Sequence, residues 1–360
     1  MKNKIHKNKI IFTLTIGLIL VVSISAGCSK VSGNLTDSEK QPSFVAIGYT
    51  PYNYNNYLAA YSFDGINWKG TTLPKGYSWN DMCYGNGKFV ILSQWDYTVS
   101  NYQPAGKIAI YSENGINWKE ATLPDPGEIT EATWDRICYG NGKFVATTYS
   151  IWGANTAAYS KDGIKWIKTS IPLGYGGFID ICYGNGKFAA LLANEGDEEC
   201  GSSAAAYSED GINWVKTTMP VFACWYDVCY GRGKFVAVAI LKDSDNDDAP
   251  HSNIVAYSTD GMNWTQTTVP SSASWRRVCY GNERFVAVSG DKIVYSEDGI
   301  KWTEAILTSK SKWSSICYGN GKFVAVADDD KAAYSEDGIN WKSATMPYKA
   351  YWERVCYGGE

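Results

Sequence analysis

One phrase recurs seven times in this 360-residue chain and constrains its fold more than any other feature. Each copy carries a Cys-Tyr-Gly segment, at Cys83, Cys138, Cys182, Cys229, Cys279, Cys317 and Cys356. Each also carries a Tyr-Ser-x-Asp-Gly-x-x-Trp segment, ending at Trp68, Trp118, Trp166, Trp214, Trp264, Trp302 and Trp341, with Asn114 replacing Asp in one copy. Self-similarity at a period of about 40 residues marks a repeat architecture, in which a unit buries its apolar face against its neighbour.

Between the glycines the units are rich in Val, Ile, Tyr, Phe, Trp and Thr, which suit a pleated, half-buried surface, so strands are expected. Asn86-Gly87, Asn141-Gly142, Asn185-Gly186 and Asn320-Gly321 separate apolar runs and predict tight hairpins, because both residues tolerate positive φ. Arg232-Gly233 and Asn282-Glu283 are imperfect copies. In the second turn, the Asp carboxylate can accept backbone N–H groups two residues on, and Gly supplies the left-handed conformation. Each unit is read as four strands: A (Trp-x-x-Val-Cys-Tyr), B (Phe-Val-Ala-Val), C (Ala-Tyr-Ser) and D (from the repeat Trp). Four antiparallel strands per unit predict an all-β, seven-bladed β-propeller over residues 44–360. Phe44–Gly48 reads as a strand B without its A, and residues 352–360 as a strand A without its B. Pairing the C-terminal strand with the N-terminal strands would close the ring and leave no broken edge.

The Tyr-Ser-x-Asp-Gly-x-x-Trp copies resemble the Asp-box, or bacterial neuraminidase repeat, with Gly one residue closer to the Asp than usual. The resemblance covers every unit and implies a sialidase-like propeller in which the motif is the structural turn between strands C and D. It does not imply sialidase activity. A sialidase-type glycoside hydrolase would need an arginine cluster and a Tyr/Glu nucleophile pair, and the chain is read as not an enzyme.

Residues 1–28 read as a lipoprotein signal peptide: Lys2, Lys4, Lys7 and Lys9, an apolar run from Ile10 to Ile24, then Ser25-Ala26-Gly27-Cys28 with Cys28 as the lipidated residue. Residues 29–43 are polar and read as a flexible tether. The expected location is outside the cytoplasm, anchored to the bacterial membrane by an N-terminal lipid. Residues 1–28 hold four lysines and no acidic residue, so without them the formal charge falls from −4 to −8. That acidic balance, with no basic cluster, argues against nucleic acid.

Seven cysteines share one strand A position and read as small buried hydrophobes. Cys200 and Cys224 lie outside the repeat on loops of one face, and export permits a disulfide between them. Asp243, Asp245 and Asp247 alternate as calcium ligands do but lack the Gly and distal Glu of an EF-hand. They read as a solvated acidic loop, and no cofactor is called for. The one histidine after residue 28, His251, gives little support to triad chemistry.

Two residues after the strand A aromatic stand Asp81, Arg136, Asp180, Asp227, Arg277, Ser315 and Arg354. They are expected to ring a central channel as ion pairs, Arg354 beside Asp81 and Arg136 beside Asp180. The sharper alternative is an anion site of Arg136, Arg277 and Arg354. Five B–C loops are long and those before Tyr295 and Tyr334 short, which predicts a raised rim around a lower gap. Aromatics concentrate on this face: Tyr52, Tyr54, Trp95, Tyr97, Tyr149, Trp152, Tyr175 and Tyr351. Rings on loops above a rigid scaffold suit recognition. The expectation is a monomeric binding propeller for a glycan or cell-envelope polymer, with a surface protein as the alternative partner.

Overall fold

The structure is a computed structural model that describes residues 42–51, 53–96, 103–104, 107–126, 132–149, 156–171, 177–193, 201–240 and 252–359. All belong to the compact unit Lys40–Glu360. Among them every regular element is a β-strand. The repeat unit is plainest where Thr133–Gly140, Lys143–Tyr149, Thr156–Ser160 and Ile167–Ser170 follow one another as adjacent antiparallel strands A, B, C and D. Elsewhere strand D of one unit runs directly into strand A of the next, as in Val215–Gly231. The last strand, Asn340–Tyr357, pairs with Lys322–Ser335 on one side and with Phe44–Thr50 on the other. Phe44 thereby faces Tyr357, and Val45 faces Cys356, so the two half-units at the chain ends complete one meander.

The A–B turns have the conformation the sequence predicts. Asn141 and Gly142 sit at φ 48° and 70°. Arg232 adopts 44°, and Asn282 and Glu283 adopt 41° and 60°, so the turn survives without the Asn-Gly pair. The C–D turn is built by its own side chains. In one copy the Asp210 carboxylate accepts the N–H groups of Ile212 at 2.8 Å and Asn213 at 2.7 Å, while Ser208 Oγ accepts the N–H of Gly211 at 2.8 Å. Asn114 does the same with its amide oxygen, accepting from Ile116 at 3.0 Å and Asn117 at 2.8 Å.

Packing explains why strand B is apolar without alternation. Phe144 and Ala146 pack with Val90, Leu92 and Trp134, whereas Val145 between them packs with Phe188 and Ala190 of the following unit. Phe235 and Ala237 likewise face one neighbour, and Val236 and Val238 the other. A sheet buried on both faces reads as a continuous hydrophobic run. The Cys-Tyr-Gly phrase adds a second contact between units. A Cβ placed on Gly184 would overlap the ring of Tyr230 in the next strand A, and one on Gly231 would overlap Tyr280.

Two substitutions test this account. Glu283→Gly should stabilise the protein by roughly 0.5–1 kcal/mol, since Glu283 sits at a left-handed φ that Gly adopts without strain. Gly184→Ala should destabilise it by about 1–3 kcal/mol through overpacking against Tyr230. Thermal and denaturant melts read both, and a neutral Gly184→Ala would remove the close approach as the reason for that glycine.

Candidate functional site

Strand A carries one irregularity that creates the polar interior. Arg136 pairs with Thr147 and Trp134 with Thr148, which leaves Asp135 as an extra residue between them. The same register shift follows Phe178, Trp225, Trp313 and Trp352, leaving Ile179, Tyr226, Ser314 and Glu353 as the extra residues. A bulge of this kind re-aims side chains and breaks the two-residue period.

The residues beyond the bulge stitch neighbouring A strands together. Asp81 Oδ2 accepts the N–H of Ile137 at 2.9 Å, Asp180 Oδ2 that of Val228 at 2.8 Å, and Asp227 Oδ2 that of Val278 at 2.7 Å. Ser315 Oγ accepts the N–H of Val355 at 3.1 Å. The arginines are paired. Arg354 Nε donates to Asp81 Oδ1 at 2.7 Å, the neighbours the sequence predicts. Arg277 lies 3.6 Å from Asp227 and over the Tyr226 ring. Arg136 differs from expectation. Its ion pair, at 2.6 Å, is with Asp135 rather than Asp180, because the bulge turns the preceding residue of its own strand toward it. Asn80 and Gln94 also donate to Asp135, at 2.5 and 3.2 Å. Each of the three candidate anion-binding arginines is thus committed to a carboxylate.

Burial shifts the acids of this cluster. It pushes Asp180 well up, with Asp227 and Asp81 adding to the effect, and Asp227 rises to about 6 despite the pull of Arg277. Glu353 rises to about 7 through burial, with Arg277 and Arg136 opposing and Asp328 and Asp135 adding. The seven repeat cysteines are free, and desolvation holds their thiols protonated, Cys356 at about 12. Among the described residues no group of three or more His, Cys, Asp or Glu could hold a metal ion.

At the B–C end of the strands, half-buried Tyr49 packs against Tyr57 and Tyr351, with ring centroids 5.7 and 5.3 Å apart. Tyr149 ends a strand B opposite Thr133 and is half-buried. Tyr54 lies in the strand Asn53–Ser62, and Trp95 faces Ser78 in the strand Lys88–Asp96. Tyr52, Tyr97, Trp152, Tyr175, Cys28, Cys200, Asp243, Asp245 and Asp247 lie outside the described residues. Cys224 is disulfide-bonded to a partner that also lies outside them.

Beside the short B–C turn Ser289–Lys292, where the sequence predicts a gap in the rim, an open cleft of about 630 Å³ is lined by Arg276, Asp291, Lys292, Lys312, Trp313 and Asp328 among others. An adjoining cavity of about 370 Å³ shares Asp291, Lys312 and Asp328. Asp328 pairs across the strands with Tyr351, so the cleft borders the tyrosine cluster. Burial raises the Asp328 carboxyl, and Lys312 and Arg276 oppose that rise. Sequence reasoning missed these cations, which come from three different segments and share no motif.

No protein-family model and no curated protein matches the sequence. Solved structures do match its shape. A streptogramin B lyase aligns at TM-score 0.62 with 11% identity, over 79% of this chain and 89% of its own. Virginiamycin B lyase from Staphylococcus aureus aligns at 0.56 with 12% identity, over 83% and 94%. YCF48 bound to D1 peptide aligns at 0.54 with 15% identity, over 83% and 86%. The fold is a β-propeller. At these identities the likeness establishes the fold alone.

The shifted acids predict a stability optimum. The turn carboxyls Asp64, Asp162, Asp210, Asp260, Asp298 and Asp337 are raised by partial burial, but their hydrogen bonds from backbone N–H groups outweigh it and hold them below normal, Asp210 at about 2. Their contribution is present above the unfolded value near 4 and is lost as pH falls through the folded values. Glu353 is raised, so its penalty grows as pH climbs from about 4.5 to about 7. Asp180 and Asp227 are raised as well, so the melting temperature should peak between about pH 4 and 5. Glu353→Gln should lie within about 1 kcal/mol of the parent at pH 5 and exceed it by roughly 3 kcal/mol at pH 8. Equal effects at both values would remove the buried-acid assignment.

Proposed function

We propose that this chain is an exported binding protein, a closed seven-bladed propeller held at the membrane through lipid on Cys28, which captures a glycan or cell-envelope polymer with its B–C and D–A loop face. The observation that carries the reading is the open polar cleft on that face, bordered by the Tyr49–Tyr57–Tyr351 cluster and supported by rigid strands. Pairing of the last strand with the first supports closure, and four strands in each unit support the blade count. The side chains of the channel support scaffolding rather than catalysis, since its arginines and aspartates are spent on ion pairs and on neighbouring backbone N–H groups. The Asp-box resemblance fits the same picture, with the motif serving the C–D turn. A Cys200–Cys224 disulfide would tie two loops of the binding face.

A protein partner is the second reading, favoured by one comparison: a propeller of similar shape, YCF48, is seen with a peptide. The test is binding of the full chain to an array of glycans and envelope polymers, with calcium and with chelator. Selective binding lost in Trp95→Ala or Trp152→Ala supports the glycan reading, and a blank array sinks it. Cys28→Ala should release the protein from the membrane fraction if the lipid anchor is right.

A further inference from the structure

The cleft has more definite chemistry than the general reading requires. Arg276, Lys292 and Lys312 converge on it with two carboxylates. Asp291 is already engaged, since Lys310 lies 3.3 Å from it. Lys292 makes only a long contact, 3.5 Å, with the carbonyl of Ser272. Among the described residues the side chains of Arg276 and Lys312 donate no hydrogen bond, and the charge they face is Asp328. Three cations thus meet one uncommitted carboxylate, in a chain whose overall charge is negative. An anionic ligand gains charge-assisted hydrogen bonds there.

The lining also limits what kind of anion fits. Protein hot spots are built on a buried apolar anchor pocket. Here the wall is charged and hydroxyl-bearing, with Ala273 and the fully buried Trp313 as its apolar members. A hydroxyl-rich ligand suits such a surface better than an apolar side chain does. Asp328, on the cleft wall, pairs across the strands with Tyr351, which is half-buried and next to Tyr49. A flat tyrosine face beside a cationic cleft is the arrangement that takes a sugar ring carrying an acidic group.

We infer that this cleft binds an anionic glycan, its carboxylate or phosphate group held by Arg276, Lys292 and Lys312 and the adjoining sugar resting on Tyr351. The inference rests on the glycan reading of the same face and narrows it to acidic polymers.

The test is calorimetric titration of the full chain with polygalacturonate, with a phosphomannan, with neutral dextran and with an oligoglutamate peptide. Polygalacturonate or phosphomannan should bind, the pair separating a carboxylate from a phosphate source, and binding should weaken as ionic strength rises. Arg276→Ala combined with Lys312→Ala should weaken it by about tenfold or more. Lys168→Ala combined with Lys216→Ala, two lysines on outer strands D, should leave it unchanged. All variants should melt with the parent. Absence of binding to both acidic polymers overturns the inference, as does binding indifferent to Arg276 and Lys312. Oligoglutamate bound as tightly as polygalacturonate overturns the glycan class. Dextran bound equally by the parent and by the Arg276/Lys312 variant would sink the acidic site while leaving the broader glycan reading intact.

Discussion

Burial of strand B on both faces is the constraint from which the rest of the architecture follows. Phe144 and Val145 are adjacent in sequence, fully buried, and packed against different neighbouring units. No single meander can bury both, so a unit is stable only between two others. Removing one such Phe side chain would cost about 3–5 kcal/mol, a large share of what a domain has to spare. The two half-units at the ends obey the same demand. Phe44 and Ala46 are fully buried because the last strand supplies Trp352 and Val355 to their cluster. Stacking also fixes the spacing between units, and the spacing accounts for the glycine of Cys-Tyr-Gly: Gly184 and Gly231 lie where the tyrosine ring of the next unit comes down.

Close stacking creates a second problem, which the polar residues solve. Strand A is the inner edge of its meander, and its outward N–H groups have no ladder partner. Unpaired backbone donors there would be costly. Asp81, Asp180, Asp227 and Ser315 each accept one such N–H from the following strand A. Arginine, which cannot accept, occupies other copies of the position and pairs with the carboxylates instead. What looks in sequence like a ring of opposed charges is therefore a set of backbone acceptors with their counter-ions.

Much of the fold was legible because its signals are local. The A–B hairpins follow from Asn-Gly, the C–D turns from Ser-x-Asp-Gly, and strand order from the sequence of apolar runs. Even the join of the two ends follows from which strand each half-unit lacks. The bulge was not legible, since a two-residue period assigns one inward residue where Asp135 and Arg136 both turn in. That single extra residue explains the misplaced partner of Arg136 and the unnoticed Asp135 and Glu353. Nor does any motif announce Arg276, Lys292 and Lys312. They stand at ordinary polar positions and gain meaning only when three segments are brought to one cleft. The short loop before Tyr295 did mark the place, though not its charge.

The two ends of the strands divide the work. At one end lie the A–B and C–D turns, nearly invariant from unit to unit and stabilised by their own side chains. Their job is to hold each meander in a fixed shape. At the other end lie the B–C and D–A connections, which differ in length and composition in every unit. A repeat that fixes its own geometry at one end can vary the other without disturbing the core. Variation there tunes recognition where variation in Ser-x-Asp-Gly would loosen a turn. The cleft shows the consequence. It lies where two successive B–C connections are short, Ser289–Lys292 and the one before Tyr334, and its cations stand beside strand ends whose backbone positions the stacked core has already set. The backbones that carry them need no reordering when a ligand arrives, so the rigidity that stacking provides confines the ordering cost to the side chains themselves.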